Sequence, residues 1–259
     1  MCPIIYINNF PVPMYALCVL IGYIAGIITL IIITSNTVYS KKFILFSSLI
    51  SVIGLFVGAK LMYMISLIPD IIHSPAFYTL NTADKLFYLL GGYVFYGGMA
   101  GAIAIICMLC IQFDYSVSDY CSYVIRVVPL IHGFGRIGCL MGGCCYGIKY
   151  DGPLHIVMSD NIARFPVQLV ETLLLFMLSA FLIFKKTHSK NSSTIIYYLT
   201  IYPSMRFLLE FLRGDRIRGI FLGLSTSQWI SLLILVCMII YCHYRHHRLR
   251  HRLHHRQYH

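Results

Sequence analysis

Residues 132–147 read HGFGRIGCLMGGCCYG. They close an apolar run that contains Pro129, and they set Arg136 where a membrane helix is expected. An arginine at membrane depth is costly and is tolerated mainly where it faces a polar cavity or a partner. Glycines at this density let helices and backbone approach one another, or a ligand, closely. Cys139, Cys144 and Cys145 share the segment. The rest of the chain reads as walls around it.

Those walls are apolar. Of 259 residues, 59% are hydrophobic and 11% charged, whereas an ordinary soluble domain carries about a quarter charged residues. A bilayer crossing takes about 17–25 apolar residues. Seven runs qualify or come close: roughly 13–35, 44–66, 92–112, 121–141, 166–184, 195–212 and 227–243. The sequence therefore predicts an all-α integral membrane protein with seven transmembrane helices. The fourth run, with Arg126 and Arg136, and the sixth, with Arg206 and Glu210, are the least apolar.

Orientation follows from lysine and arginine. With the N-terminus outside, ten basic residues (Lys41, Lys42, Lys185, Lys186, Lys190 and arginines 245, 248, 250, 252 and 256) are cytoplasmic. Six are external: Lys85, Lys149, Arg164, Arg213, Arg216 and Arg218. That bias puts the C-terminus in the cytoplasm and turns the loops at 67–91, 142–165 and 213–226 outward. The opening MCPIIYINNFPVPM lacks a basic n-region, so the first span is expected to be retained. Residues 1–243 read as one membrane domain and 244–259 as a basic His/Arg-rich tail, which leaves lipid contact or metal binding open. The net charge of +11 suits topology and membrane lipid, so no nucleic-acid partner is expected. No internal repeat supports an inverted-repeat transporter.

Several polar residues sit inside these runs. Lys60, in GLFVGAKLMYMI, could snorkel to an interface. Arg206 and Glu210 lie one helical turn apart and can pair. Gln168 and Glu171 follow Pro166 at the start of the fifth run, where they could cap the helix or point inward. Tyr15 could be an interfacial anchor or a site residue. The stretch GGYVFYGGMAG (91–101) is either a close helix seam or a place where Gly97, Gly98 and the Tyr96 hydroxyl meet a ligand. Taken together, Lys60, Arg136 and Arg206 suit an anionic lipid head group. Arginine forks bind phosphate in bidentate fashion and stabilise a departing phosphate as charge develops.

In this order the segments resemble the prolipoprotein diacylglyceryl transferase family. Its signature reads roughly GRxGNFxNxExxG. Residues 135–147, GRIGCLMGGCCYG, keep Gly135, Arg136, Gly138 and Gly147, and carry Cys139, Gly142 and Cys144 at the two Asn and the Glu positions. PVPMYALCVLIGY resembles the first-span segment with its functional tyrosine, here Tyr15. GAKLMYM resembles GGRxGY, with Lys60 for arginine, and GGYVFYGGMAG resembles FHGGLxG, with Tyr96 for histidine. RFPVQLVE resembles HPSQLYE, RFLLEFLRGD resembles RFxxEFxRxPD, and GLSTSQWIS resembles LTxGQxLS, with Gln228 aligned. The resemblance covers about residues 11–235. It implies an enzyme of the bacterial inner membrane that moves a diacylglyceryl group from phosphatidylglycerol to the lipobox cysteine of a prolipoprotein, without cofactor or metal. It casts Tyr15, Tyr96, Arg136, Arg206 and Glu210 as catalytic. Lys60, Gly97, Gly98, Gly135, Gly138, Gly147, Gln168, Glu171 and Gln228 would bind substrate. With tyrosine in place of histidine, His132, one turn before Arg136, is a possible substitute base.

Cys139, Cys144 and Cys145 admit packing, a Cys139–Cys144 disulfide, or direct redox, acyl-carrier or metal chemistry; an adjacent Cys144–Cys145 bridge would be strained. Their C-x4-C-C spacing is not a usual zinc pattern. Two other functions remain open on sequence: a relative using the pocket for thiol–disulfide exchange, and a non-enzymatic lipid-binding protein.

Overall fold

The structure is a computed structural model that describes residues 3–73, 75–185, 192–215 and 220–257. Lys186, Lys190, Arg216, Arg218 and most side chains of the 244–259 tail lie outside the described residues. The chain is mostly helical: α1 Met14–Ile33, α2 Lys41–His73, α3 Pro75–Thr79, α4 Thr82–Leu90, α5 Phe95–Gln112, α6 Val117–Met141, α7 Val167–Phe184, α8 Ser192–Glu210 and α9 Thr226–Gln257. Among the described residues there are three short antiparallel hairpins: β1 Ile4–Ile7 with β2 Phe10–Pro13 ahead of α1, β3 Ile156–Val157 with β4 Ala163–Arg164 between α6 and α7, and β5 Ile220–Phe221 with β6 Leu224–Ser225 ahead of α9.

Each of the seven apolar runs is helical. Five helices are long and apolar enough to cross a membrane: α1, α2 over Lys41–Ile68, α6, α7, and α9 over Thr226–Arg245. The apolar part of α5, Tyr96–Gln112, is shorter, and α8 is made more polar by Arg206, Glu210 and three tyrosines. Helix α1 shows why the apolar content belongs to a bilayer. Cys18, Gly22, Gly26 and Leu30, spaced by four, are buried, while Leu20, Ile24, Ile28 and Ile32 on another face stay at least half exposed. Such a stripe needs a hydrocarbon neighbour.

The chain divides into two compact units, Met1–Leu30 with Ser122–His259, and Ile31–Cys121. In the second, α2 and α5 touch backbone to backbone. A Cβ at Gly58 would run into the Gly97 carbonyl, and one at Gly101 into that of Gly54. Small residues allow this approach, which maximises dispersion contact where no hydrophobic force separates helix from lipid. Rings of Tyr39, Phe43, Tyr115 and Tyr120 pack together, and Tyr120 shares a 2.6 Å hydrogen bond with Ser47. The stretch 67–91, expected as a loop, is largely helical. Helix α2 runs on to His73, and α4 starts at Asn81, whose side chain accepts the Asp84 N–H at 2.8 Å. That N-cap supplies the stop-and-restart that span counting overlooks.

In the first unit, α1 packs on α6 through Gly22 and Gly26, against Phe134 and Ile131, and Gly133 of α6 admits Phe176 of α7. Pro129 lies inside α6, where it removes one intrahelical hydrogen bond. Ser179 of α7 donates to the Arg126 carbonyl at 2.7 Å, next to the Ile125 carbonyl whose intrahelical donor Pro129 removes.

Candidate active site

The glycine-rich end of α6 is shaped by a Schellman stop. Gly143 adopts φ +72°, its N–H bonds the Leu140 carbonyl at 3.2 Å, and the Cys144 N–H bonds the Cys139 carbonyl at 3.0 Å. Only a left-handed residue permits that pair of bonds, and glycine enters this region without steric cost. Cys145 follows with φ 57°. The chain turns back, and the sulfurs of Cys139, Cys144 and Cys145 come to lie within 4.8 Å of one another. No described cysteine is in a disulfide, so the Cys139–Cys144 bridge considered above is not formed. Partial desolvation, with the neighbouring Cys145, raises the Cys144 thiol above its ordinary pKa.

Behind this turn lies a buried ion network. Glu171 of α7 is 2.9 Å from Arg136 of α6 and 3.9 Å from Arg206 of α8. Arg206 reaches Glu210, one turn on, at 2.6 Å, and Arg213 lies 3.8 Å from Glu210 and 2.5 Å from Asp215. Three arginines thus face three carboxylates. Arg136 and Arg206 are 9% and 6% exposed and Glu171 2%, so the attractions act in a low-dielectric setting where an uncompensated charge would be expensive. Burial works against the charge of Arg213, but Asp215 outweighs it and holds the guanidinium above its ordinary pKa. Arg136 Nε, Arg206 Nη1 and Arg213 Nη1 are buried without a hydrogen-bond partner. Buried donors left unmade cost about 1–3 kcal/mol each, and more when charged. Glu171 Oε1 and Glu210 Oε2 are buried without a hydrogen-bond partner too, so the network keeps spare donors for an anion alongside spare acceptors.

Neighbouring residues hold this arrangement in place. Gln168 donates to the Cys144 carbonyl at 2.9 Å, so it and Glu171 do not cap α7, whose N-cap Pro166 has no side-chain cap bond. Thr172 donates to the Gln168 carbonyl at 2.8 Å. Gly147 pairs with Arg213 in an antiparallel bridge, and a Cβ there would run into the Phe165 carbonyl. Gln228 bonds the Ser225 N–H at 2.9 Å and the Phe207 carbonyl at 3.4 Å, fastening α9 to α8. Tyr15, 49% exposed, stands beside Gly138, where an added Cβ would be 3.1 Å from its ring. It lies within electrostatic range of Arg136 and the three thiols. A Cβ on Gly135 would meet nothing within 4 Å, leaving room beside Arg136. His132 packs edge-on against Tyr202, 5.6 Å between centroids, within electrostatic range of Arg136 and Arg206.

Lys60, Tyr96, Gly97 and Gly98 belong to the unit Ile31–Cys121. The Nζ of Lys60 is buried and lies 5.1 Å from the Tyr63 centroid and 5.3 Å from that of Tyr93, a cation–π environment. Gly97 and Gly98 sit in the α2–α5 seam, against Met62, Leu55 and Ala59. Tyr96, in the first turn of α5, is 47% exposed.

The RFLLEFLRGD segment keeps Arg213 and Asp215 of its motif, although neither was assigned a site role on sequence; the Gly214 N–H between them bonds the Tyr146 carbonyl at 2.9 Å and ties this corner to the 142–165 loop. Arg164 stacks on the Tyr146 ring at 3.9 Å and pairs with Asp160 four residues back, a spacing readable from sequence.

A buried arginine–carboxylate network with spare donors, at the end of a glycine-rich membrane helix, is suited to a phosphate ester in a lipid. Comparison with known proteins agrees. A family model described as prolipoprotein diacylglyceryl transferase matches residues 3–244. The phosphatidylglycerol–prolipoprotein diacylglyceryl transferase of Clostridium tetani is 31% identical over 229 residues, 86% of this chain and 88% of that one. A second such enzyme, from Clostridium perfringens, is 30% identical over 76% of this chain and 77% of its own. The one from Methylobacillus flagellatus is 28% identical over 90% and 91%. Sequence motifs, buried network and relatives converge: the chain belongs to the prolipoprotein diacylglyceryl transferase family.

Proposed function

We propose that this chain transfers the diacylglyceryl group of phosphatidylglycerol to the lipobox cysteine thiol of a prolipoprotein. A C–S bond forms, the C–O bond to phosphate breaks, and glycerol phosphate leaves as the thiol gives up its proton. One observation carries the reading: Glu171 holds Arg136 and Arg206 together at 2.9 and 3.9 Å while Arg136 Nε and Arg206 Nη1 keep unused donors. Those donors meet the phosphate, and their attraction grows as the leaving group gains charge. Glu210 and Gln168 hold the arginines and the 139–147 turn in register, and Tyr15 presents its hydroxyl beside Gly138. Within the unit Ile31–Cys121, Tyr96 and Lys60 are assigned to lipid contact; Gly135 leaves open space beside Arg136. Tyrosine, with an ordinary pKa of about 10, is a poor base for a thiol. Arg136 and Arg206 therefore promote ionisation of the substrate thiol.

The same reading assigns seven spans, the N-terminus outside and the C-terminus cytoplasmic, to a multi-pass protein of the bacterial inner membrane. Residues 1–243 form its membrane domain and 244–259 a basic tail. It rests on the seven helical runs and on the lysine and arginine bias. The test is expression in cells depleted of their own transferase, together with a lipobox reporter. The reporter should become diacylglyceryl-modified, and Arg136→Ala should abolish the product while the protein still reaches the membrane. A well-folded chain that leaves the reporter unmodified overturns the activity; an Arg136→Ala chain with full activity overturns the phosphate role.

A further inference from the structure

In the transfer proposed above the reacting thiol belongs to the substrate, so the chain's own Cys139, Cys144 and Cys145 are left without a task. Packing does not account for all three. Cys139 is buried, Cys145 half-buried and Cys144 exposed, whereas a cysteine used only as a small hydrophobe is normally inside. Nor does the C-x4-C-C spacing foretell their meeting. The two left-handed residues, Gly143 and Cys145, fold the chain back so that all three sulfurs lie within 4.8 Å of one another.

We propose that Cys139, Cys144 and Cys145 form a three-thiolate site for one closed-shell thiophilic ion, Zn²⁺ or Cu⁺. An ion equidistant from three sulfurs that lie within 4.8 Å of one another would stand no more than about 2.8 Å from each, against a metal–sulfur bond of about 2.3 Å. Each sulfur then has to move inward by roughly 0.5 Å at most, which small side-chain rotations supply. Soft thiolates select these ions over hard ones. Among the described residues the group contains neither histidine nor carboxylate. That suits three-coordinate Cu⁺, or Zn²⁺ with a water in the fourth position beside exposed Cys144.

Charge and hydrogen bonding agree with an anionic metal–thiolate group. Binding releases the three S–H protons and leaves a net charge of −1 with Zn²⁺ or −2 with Cu⁺. Arg136 interacts electrostatically with Cys139 and Cys145, and Arg213 with Cys145. Arg213 also keeps a buried N–H, Nη1, with no hydrogen-bond partner. Donors and positive charge around metal-bound ligands are what hold such sites in place. The ion would clip the end of α6 to the turn that Gln168 grips through the Cys144 carbonyl at 2.9 Å.

The test uses the full chain, purified in detergent and fully reduced, and titrated anaerobically with Co²⁺ as a probe for the Zn²⁺ site and separately with Cu⁺. The basic tail carries histidines that also take metal, so the readout is the thiolate-to-metal charge-transfer absorption, which imidazole does not give. One equivalent should produce the band, Zn²⁺ should displace Co²⁺, and Cys144→Ser and Cys145→Ser should each weaken binding about tenfold or more. Whichever ion gives the band identifies the occupant. No sulfur band from either ion, or a band unchanged in both variants, overturns the site. A measurement without variants guards against misfolding: Zn²⁺ or Cu⁺ should slow maleimide labelling of Cys144 and Cys145 in the unmodified chain, read by peptide mass spectrometry. Equal labelling with and without ion refutes the proposal, whatever the outcome of the lipobox assay.

Discussion

Glu171→Gln removes one charge from the centre of the buried network and changes almost nothing in shape. Glu171 lies 2.9 Å from Arg136 and 3.9 Å from Arg206. At an effective dielectric of about 20, charges at these separations attract by about 6 and 4 kcal/mol. Most of that offsets the cost of taking three charges out of water, so the intact network contributes little net stability. Glutamine cancels the attraction and leaves the cost, with Arg136 and Arg206 now facing each other. Loss of one partner from a buried pair costs about 3–5 kcal/mol. The expected outcome is a fall of that size in the unfolding free energy of detergent-solubilised protein, measured by SDS titration. Arg136→Gln in the same background should recover part of it, giving a coupling energy of about 1–3 kcal/mol. A Glu171→Gln protein within about 0.5 kcal/mol of the parent, the range of ordinary surface substitutions, would refute the argument that these charges are buried and mutually dependent.

Three further outcomes follow from the packing. Ser179→Ala, which removes the hydroxyl that now meets the Arg126 carbonyl at 2.7 Å, should cost about 0.5–1.5 kcal/mol; an unchanged thermal unfolding temperature would show that this bond adds nothing to the contact between α6 and α7. Gly101→Ala would press a methyl group into the Gly54 carbonyl and should cost about 1–3 kcal/mol; a neutral result in the same assay would contradict backbone contact between α2 and α5. Partial desolvation opposes ionisation of Asp160, but the Ile162 N–H and Arg164 outweigh it and hold this carboxyl below its ordinary pKa. A depressed carboxyl stabilises above its unfolded value of about 3.9 and loses that contribution as pH falls through the folded one. The β3–β4 hairpin should therefore exchange its amide hydrogens faster on acidification below that range. Asp160→Asn should abolish the pH dependence, and a dependence unchanged in Asp160→Asn would place the titrating group elsewhere.

The membrane character, the helical runs and the Arg206–Glu210 pair are all local properties, and all were legible in the sequence. Apolar length reports a bilayer crossing by itself. Residues four apart share a helix face in any fold, so Arg206 and Glu210 meet at 2.6 Å without help from the rest of the chain. The ordered motifs from Tyr15 to Gln228 likewise pointed to the family. What tertiary structure decided are the encounters between helices. Glu171, equally readable as a helix cap, became the link between Arg136 and Arg206 because α6, α7 and α8 pack side by side. Lys60 turned onto Tyr63 and Tyr93, and Gly97 and Gly98 filled a helix seam. Cys139, Cys144 and Cys145 drew together through two left-handed residues at the end of α6. Periodicity fixes which face of a helix a residue occupies; it carries no information on what another helix, or a reversed turn, brings against that face.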